Sequence, residues 1–125
     1  MGNWIYGICI SFDSKYGAVV IGLCLDESGI PSTSKKRLAI AQKIVQKAQE
    51  YGIQKKDIVI DGLAMTISSQ PDGALVTLDT LQKVKEELNV STILGVSNIS
   101  FGLPQREIIN SYFLSMALQS GLSCA

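Results

Sequence analysis

Apolar and polar positions alternate along this chain in two distinct rhythms. Ala18 to Leu25 is a nearly continuous apolar run, which predicts a central parallel strand buried on both faces. Asp57 to Ile60 is a second, short and β-branched, and Thr92 to Val96 is a third. Between and after these runs the period changes to that of a helix. Leu38, Ala41, Ile44, Val45 and Ala48 form one stripe on a helix from about 34 to 51. Leu78, Leu81, Val84 and Leu88 do so on a helix from about 75 to 88. The pairs Ile108-Ile109, Tyr112-Phe113 and Met116-Ala117 repeat every four residues on a helix from about 104 to 120.

The ends of these elements are punctuated. Ser32, Thr33 and Ser34 are cap candidates for the first helix, and Gly52 is its natural C′ residue. Pro104 suits the first position of the last helix, and Gly121 ends it. Ahead of all this, Trp4 to Phe12 is rich in β-formers and predicts one further strand.

Strand, helix, strand, helix, strand, helix, with strand starts near Ala18, Asp57 and Thr92, is the spacing of successive right-handed βαβ units. Two closures satisfy it: a small open doubly wound sheet, or a segment of a (β/α)8 barrel. A complete barrel takes about 250 residues, so a chain of 125 holds half of one at most. A nucleotide-binding, flavodoxin-like reading lacks both the GxGxxG fingerprint and the P-loop.

Composition narrows the chemistry. With 46% hydrophobic and 18% charged residues, the chain builds one folded core. Eleven basic residues balance 11 acidic ones, which removes any argument for wholesale attraction to nucleic acid or an anionic membrane. The Lys35-Lys36-Arg37 run reads as a solvated first helical turn. Cys9, Cys24 and Cys124 are widely spaced and odd in number, so they read as buried small apolar residues in a reducing cytoplasm, with no metal site. The absence of histidine excludes His-based acid/base catalysis and the His-containing zinc sites. No apolar run reaches the roughly 20 residues of a membrane span.

The polar residues that remain cluster where strands end. Leu94 to Pro104 reads Leu-Gly-Val-Ser-Asn-Ile-Ser-Phe-Gly-Leu-Pro: a strand end, small polar residues and a helix start. In parallel α/β proteins the carboxyl ends of strands and the loops after them face the ligand crevice, which places Ser97, Asn98 and Ser100 there. Asp61 ends the second strand and Asp26-Glu27 the first. Neighbouring side chains on a strand diverge, so Asp26 and Glu27 cannot share one proton, and Asp26 is the preferred candidate. About a dozen residues follow Asp61 as a loop, a length that is often functional.

Gly95-Val96-Ser97-Asn98-Ile99-Ser100-Phe101-Gly102-Leu103-Pro104, followed by Arg106 and Ile108-Ile109-Asn110-Ser111, resembles the segment around the seventh strand of the pterin-binding barrel in methyltetrahydrofolate methyltransferases. This group includes the folate domain of cobalamin-dependent methionine synthase. Asp57 to Leu63 and Leu25 to Pro31 resemble the ends of its sixth and fifth strands, so the resemblance covers roughly 16 to 125. Residues 1–15 depart from the pattern and stand as a divergent or extra N-terminal strand.

The fold so implied is α/β, a partial (β/α)8 TIM barrel with three to four parallel strands corresponding to about strands 5 to 7, with Leu122 to Ala125 beginning the eighth. Such a segment leaves open sheet edges and an uncovered inner face, which favour self-association.

The activity so implied is transfer of the N5-methyl group of methyltetrahydrofolate to the cobalt of a corrinoid (cobalamin) on a partner protein or domain. Asn98 matches the asparagine that hydrogen-bonds the pterin near N5. Its alternative is a turn residue capping the next helix. Asp61 matches the aspartate that pairs with pterin N–H groups, the alternative being an exposed strand-end carboxylate. Gly95 and Ser97 match a close-packed strand end that admits the ring. Arg106 matches a rim residue with a folate-tail or loop-ordering role. Where the family usually has proline, this chain has Gly62, which loosens the loop after Asp61. A dihydropteroate synthase-like enzyme and a non-catalytic barrel fragment are the competing readings.

Overall fold

The computed structural model describes residues 2–5, 8–13, 17–25 and 29–123, the first twenty positions by backbone alone. One sheet runs in the spatial order β1 (Gly2–Ile5), β2 (Ile8–Asp13), β3 (Gly17–Leu23), β4 (Ile58–Asp61), β5 (Ser91–Ile93). The first three are antiparallel neighbours, with Ile5 opposite Ile8 and Ile10 opposite Val20. From β3 onward the neighbours are parallel. Helix α1 (Ser34–Glu50) connects β3 to β4, α2 (Gly73–Lys83) leads from β4 toward β5, and α3 (Arg106–Ser120) follows β5. Three parallel strands alternating with helices make an α/β fold, consistent with part of a (β/α)8 barrel.

Trp4 to Phe12 is not one strand, as the run of β-formers suggested, but belongs to β1 and β2, which pair with each other. Gly7, inside that run, is the residue type at which hairpins turn; Tyr6 and Gly7 themselves lie outside the described residues.

Register assigns the two faces of the parallel part. Gly22, Ile60 and Thr92 form one row across β3, β4 and β5, and Leu23, Asp61 and Ile93 form the next. Successive residues of a strand point to opposite faces. The first row is the helix side: Ile60 and Thr92 are fully buried, and a Cβ on Gly22 would lie 2.6 Å from Ile44 Cγ2 of α1. A missing side chain at position 22 is what lets α1 lie this close. Leu23, Asp61 and Ile93 are half-buried on the other face, where Ile21 is 42% exposed. β3 is therefore not buried on both faces, contrary to what its continuous apolar run implied.

On the helix side the stripes do what their spacing requires. All five apolar residues of the α1 stripe are buried, packed with Cys24, Ile58, Ile60, Val84 and Val90. A Thr33 cap, whose Oγ1 accepts from Lys36 N–H at 3.3 Å, opens α1. Gly52, at φ +79°, closes it, with Gly52 N–H on Gln49 O (3.0 Å) and Ile53 N–H on Ala48 O (3.0 Å). A second cluster joins Leu81, Leu94, Ile99, Phe113, Ala117 and Leu122.

Three boundaries differ from expectation. α2 ends at Lys83 and passes into one wider π-helical turn, Val84–Leu88, closed by left-handed Asn89. β5 is shorter than the apolar run, and Val96–Ser100 is a 3-10 turn. Pro104 is not the first residue of α3, which starts at Arg106 behind Gln105 at φ +55°. In α3 one member of each apolar pair faces inward: Phe113 and Ala117 are buried and Ile109 half-buried, while Ile108, Tyr112 and Met116 are exposed. Beyond α3, Ser123 N–H donates to Thr92 O at 3.2 Å, bringing the chain alongside β5. No helix among the described residues is long and apolar enough to cross a membrane.

Candidate functional site at the carboxyl ends of the parallel strands

Asp61 is the last residue of β4 and lies on the face opposite the helices. It is half-buried, so the alternative of an exposed strand-end carboxylate does not describe it. Its Oδ1 accepts from Leu63 N–H at 2.9 Å. Burial pushes the Asp61 carboxyl above its ordinary value, and the Leu63 N–H partly offsets this. Gly62 continues the sheet with its N–H on Ile93 O at 3.3 Å, a bond a proline there lacks. Leu63 then turns at φ +57°, a region that costs a leucine about 1–2 kcal/mol.

Behind this turn stands a residue that the sequence reading placed in solvent. Lys35 and Lys36 are exposed, but Arg37 is only 1% exposed. Its Nε donates to Pro31 O (2.9 Å), and its Nη1 to Gly62 O (2.9 Å), Leu63 O (3.0 Å) and Thr77 Oγ1 (3.3 Å). Thr77 is fully buried and donates its own hydroxyl to Leu63 O at 3.2 Å. The signal for Arg37 was available: it lies four residues before Ala41 and seven before Ile44, on the buried stripe.

Asn98 sits in the 3-10 turn after β5 and is exposed. Its side-chain amide has no hydrogen-bond partner among the described residues and lies over Gly95, whose added Cβ would be 3.7 Å from Asn98 Nδ2. It does not cap α3, whose N-cap position, Gln105, carries no side-chain cap bond. Around Asn98 the turn is held by its neighbours. Arg106 Nη2 donates to Ser97 O (2.8 Å) and Ser97 Oγ (2.7 Å), and Arg106 Nε to Ser100 Oγ (3.1 Å). Buried Ser100 donates to Asn110 Oδ1 at 2.7 Å. The Arg106 guanidinium also lies 5.8 Å from the centroid of the exposed Phe101 ring.

The two turns are tied into one rim. Ile67 N–H, on the loop after Asp61, donates to Ile99 O (3.1 Å), and Ser68 Oγ donates to Phe101 O (3.2 Å). Asp61 at the end of β4, Gly95, Ser97 and Asn98 in the turn after β5, and Arg106 at the start of α3 thus all lie on or beside two linked loops at one end of the sheet, whereas Asp26 lies outside the described residues. Cys24 is fully buried nearby, its thiol pushed up to about 12 by burial and by the Asp61 charge, against the opposing pull of Arg37. It is a protonated core group at neutral pH. No cluster of three His, Cys, Asp or Glu side chains able to hold a metal ion occurs among the described residues.

Residues 27–125 match the sequence family described as pterin binding enzyme. The chain is 36% identical over 121 residues to a methionine synthase of Mycobacterium leprae and 35% identical over 121 residues to that of Mycobacterium tuberculosis. Each alignment covers 90% of this chain and 10% of the relative. It is 26% identical over 109 residues to a methylcorrinoid:tetrahydrofolate methyltransferase of Eubacterium limosum, covering 85% of this chain and 40% of the relative. The chain therefore spans between a tenth and two fifths of the length of these relatives. By the match over most of its length, this chain belongs to the pterin binding enzyme family.

Proposed function

We propose that this chain binds the pterin ring of methyltetrahydrofolate at the carboxyl ends of β4 and β5, for transfer of the N5-methyl group to a corrinoid cobalt on a partner protein or domain. The observation that carries this reading is the Asp61 carboxylate. It is half-buried at a strand end, one oxygen is satisfied by Leu63 N–H, and the other has no partner among the described residues. A carboxylate so placed accepts two N–H donors side by side, which the amide and amino groups of a pterin edge supply. Burial makes that pairing more valuable than it is in water.

Asn98 is the residue assigned to N5. An amine-like nitrogen leaves poorly unless a proton or hydrogen bond reaches it as the methyl departs. The Asn98 amide both donates and accepts, so it follows N5 through that change. A Cβ on Gly95 would touch that amide, and Arg106 with Ser97 holds the turn that carries it. The corrinoid supplies the methyl-accepting cobalt and stays on the partner; this chain offers no histidine to it. Names of the relatives support the methyltransferase assignment, and the Eubacterium limosum name states a methylcorrinoid and tetrahydrofolate as reactants.

Calorimetric titration with methyltetrahydrofolate tests the reading, with Asp61→Asn as control. Saturable binding that weakens at least tenfold in the variant is expected; no binding by the parent chain overturns the site as a self-sufficient one. The 42% exposure of Ile21 on the helix-free face favours a second reading, in which the chain pairs with another chain across that face. Sedimentation distinguishes it: a monomer at all concentrations rejects self-association.

A further inference from the structure

We infer that Arg37, acting with Thr77, is a positioning residue that fixes the Asp61 carboxylate by holding the carbonyls of Gly62 and Leu63 in the turn where Leu63 is left-handed. The inference rests on the pterin-binding reading of Asp61 and adds residues to it from two helices, α1 and α2, that touch no ligand in that reading.

The position of Arg37 on the α1 stripe calls for an apolar side chain. Leu38, Ala41 and Ile44 around it fill the core without desolvating a charge, and a buried guanidinium is expensive when no carboxylate compensates it. Among the described residues Arg37 has four hydrogen-bond acceptors and none is a carboxylate: they are three backbone carbonyls and one hydroxyl. What the charge secures in return is geometric. Two of those carbonyls belong to Gly62 and Leu63, the two residues directly after Asp61. The third belongs to Pro31, on the connection out of β3.

The chain of cause runs through Leu63. Gly62 is the residue type with the widest backbone freedom, and Leu63 is held at φ +57°, which leucine avoids on its own. In that conformation Leu63 N–H reaches back to Asp61 Oδ1 at 2.9 Å. Leu63 O receives both Arg37 Nη1 and Thr77 Oγ1, so the carbonyl is pinned from two elements, α1 and α2. Thr77 serves because one hydroxyl both accepts from Arg37 and donates to Leu63. Releasing either partner frees Leu63 to relax, and the Asp61 carboxylate loses the bond that orients it.

The test uses the full chain and two readouts. In the absence of ligand, amide hydrogen exchange at Leu63 is compared among Arg37→Lys, Thr77→Val, Thr77→Ser and the parent, with the Phe113 and Ala117 amides of α3 reporting global stability. Exchange at Leu63 should accelerate at least tenfold in Arg37→Lys and Thr77→Val and stay close to the parent in Thr77→Ser, with the α3 amides unchanged. Methyltetrahydrofolate affinity should fall about tenfold in the first two variants, yet add nothing to the loss already caused by Asp61→Asn, because both act through one carboxylate. Unchanged Leu63 exchange, or an affinity loss that adds in full to that of Asp61→Asn, overturns the inference. Should the parent chain bind no methyltetrahydrofolate, the proposed function fails, and Leu63 exchange by itself decides whether Arg37 and Thr77 hold the turn. If Arg37→Lys does not fold, Thr77→Val carries the same decision.

Discussion

The two turns that build the rim of the site use the same device at opposite depths. After β4, Arg37 reaches Gly62 O and Leu63 O from inside the protein and is supported by the Thr77 hydroxyl. After β5, Arg106 reaches Ser97 O from the solvent side and is supported by Ser97 and Ser100 hydroxyls. Arg37 satisfies two carbonyls of its turn and Arg106 one of its own, and each turn presents one polar side chain, Asp61 or Asn98. The difference is solvent. Water can replace Arg106 on the carbonyl it serves but has far poorer access to the acceptors of Arg37, so the same hydrogen bonds carry different weights. The inner turn holds a charge in place, and the outer one has more freedom to move.

Removing each arginine breaks this comparison most sharply. Arg37→Ala removes the guanidinium from three carbonyls, of which Leu63 O keeps the Thr77 hydroxyl; with an unsatisfied buried carbonyl costing about 1–3 kcal/mol, unfolding in urea should show a loss of about 2 kcal/mol or more. Equal losses for Arg37→Ala and Arg106→Ala would remove the distinction between an inner and an outer turn.

Asp61 gives the next largest effect, and its sign differs between binding and stability. Burial raises its folded value above the unfolded one, so the stability contributed by the protonated form is fully present below the unfolded pKa and is lost as pH rises through the folded one. Asp61→Asn keeps an acceptor for Leu63 N–H and sheds the charge. The variant should therefore unfold no earlier than the parent at pH 7 and lose the parent's decline in stability with rising pH over that window. Methyltetrahydrofolate binding should move oppositely, failing as the carboxylate protonates, and should weaken in the variant by about 1.5–3 kcal/mol, the value of a hydrogen bond to a charged group. Thermal unfolding and titration across the acidic range check both signs. Lower stability of Asp61→Asn at pH 7 would mean that the Leu63 bond outweighs desolvation.

What could be read from the sequence divides along the same line as the two turns. The α1 stripe, the order of parallel strands and the Gly52 stop were legible because each depends on local period and residue type. Asp61 and Asn98 could be proposed from the sequence because strand ends in parallel sheets are where ligands bind, and because their neighbours resemble a known segment. Arg37 was not, since its residue type outweighed its place on the stripe; its burial depends on carbonyls 25 and 26 residues away. The α3 stripe was overread: Tyr112 belongs to an apolar pair, yet only Phe113 of that pair faces the core, and Tyr112 is 71% exposed. A helix start at Pro104 was locally sound, but α3 begins at Arg106, the residue engaged with Ser97 and Ser100.

Asn98 sharpens the comparison from the outer side. Its amide bonds nothing among the described residues, so Asn98→Ala should leave urea stability within about 0.5 kcal/mol of the parent, as ordinary surface substitutions do. In methyl transfer with a corrinoid partner it should cost about 1–2 kcal/mol, the range for losing one hydrogen bond to a reacting nitrogen. A loss of stability without a loss of transfer would make Asn98 a structural turn residue.

The smallest expected effect is that of Arg106. Arg106→Ala removes three hydrogen bonds and the contact with Phe101, but the two bonds to Ser97 lie at the surface, where water replaces them and side-chain entropy is regained, and buried Ser100 keeps its bond to Asn110. The cost in urea should be about 0.5–1 kcal/mol. Because the turn and not the core loosens, amide exchange should quicken at Asn98 and Phe101, whose N–H groups bond Gly95 O and Asn98 O within it, while Leu63 keeps its protection. Arg106→Lys should recover little of this, since one ammonium cannot span Ser97 and Ser100 as the guanidinium fork does. Faster exchange at Leu63 in these variants would show that the bridge from Ile67 to Ile99 couples the two turns into a single unit, and that inner and outer arginines hold one structure between them.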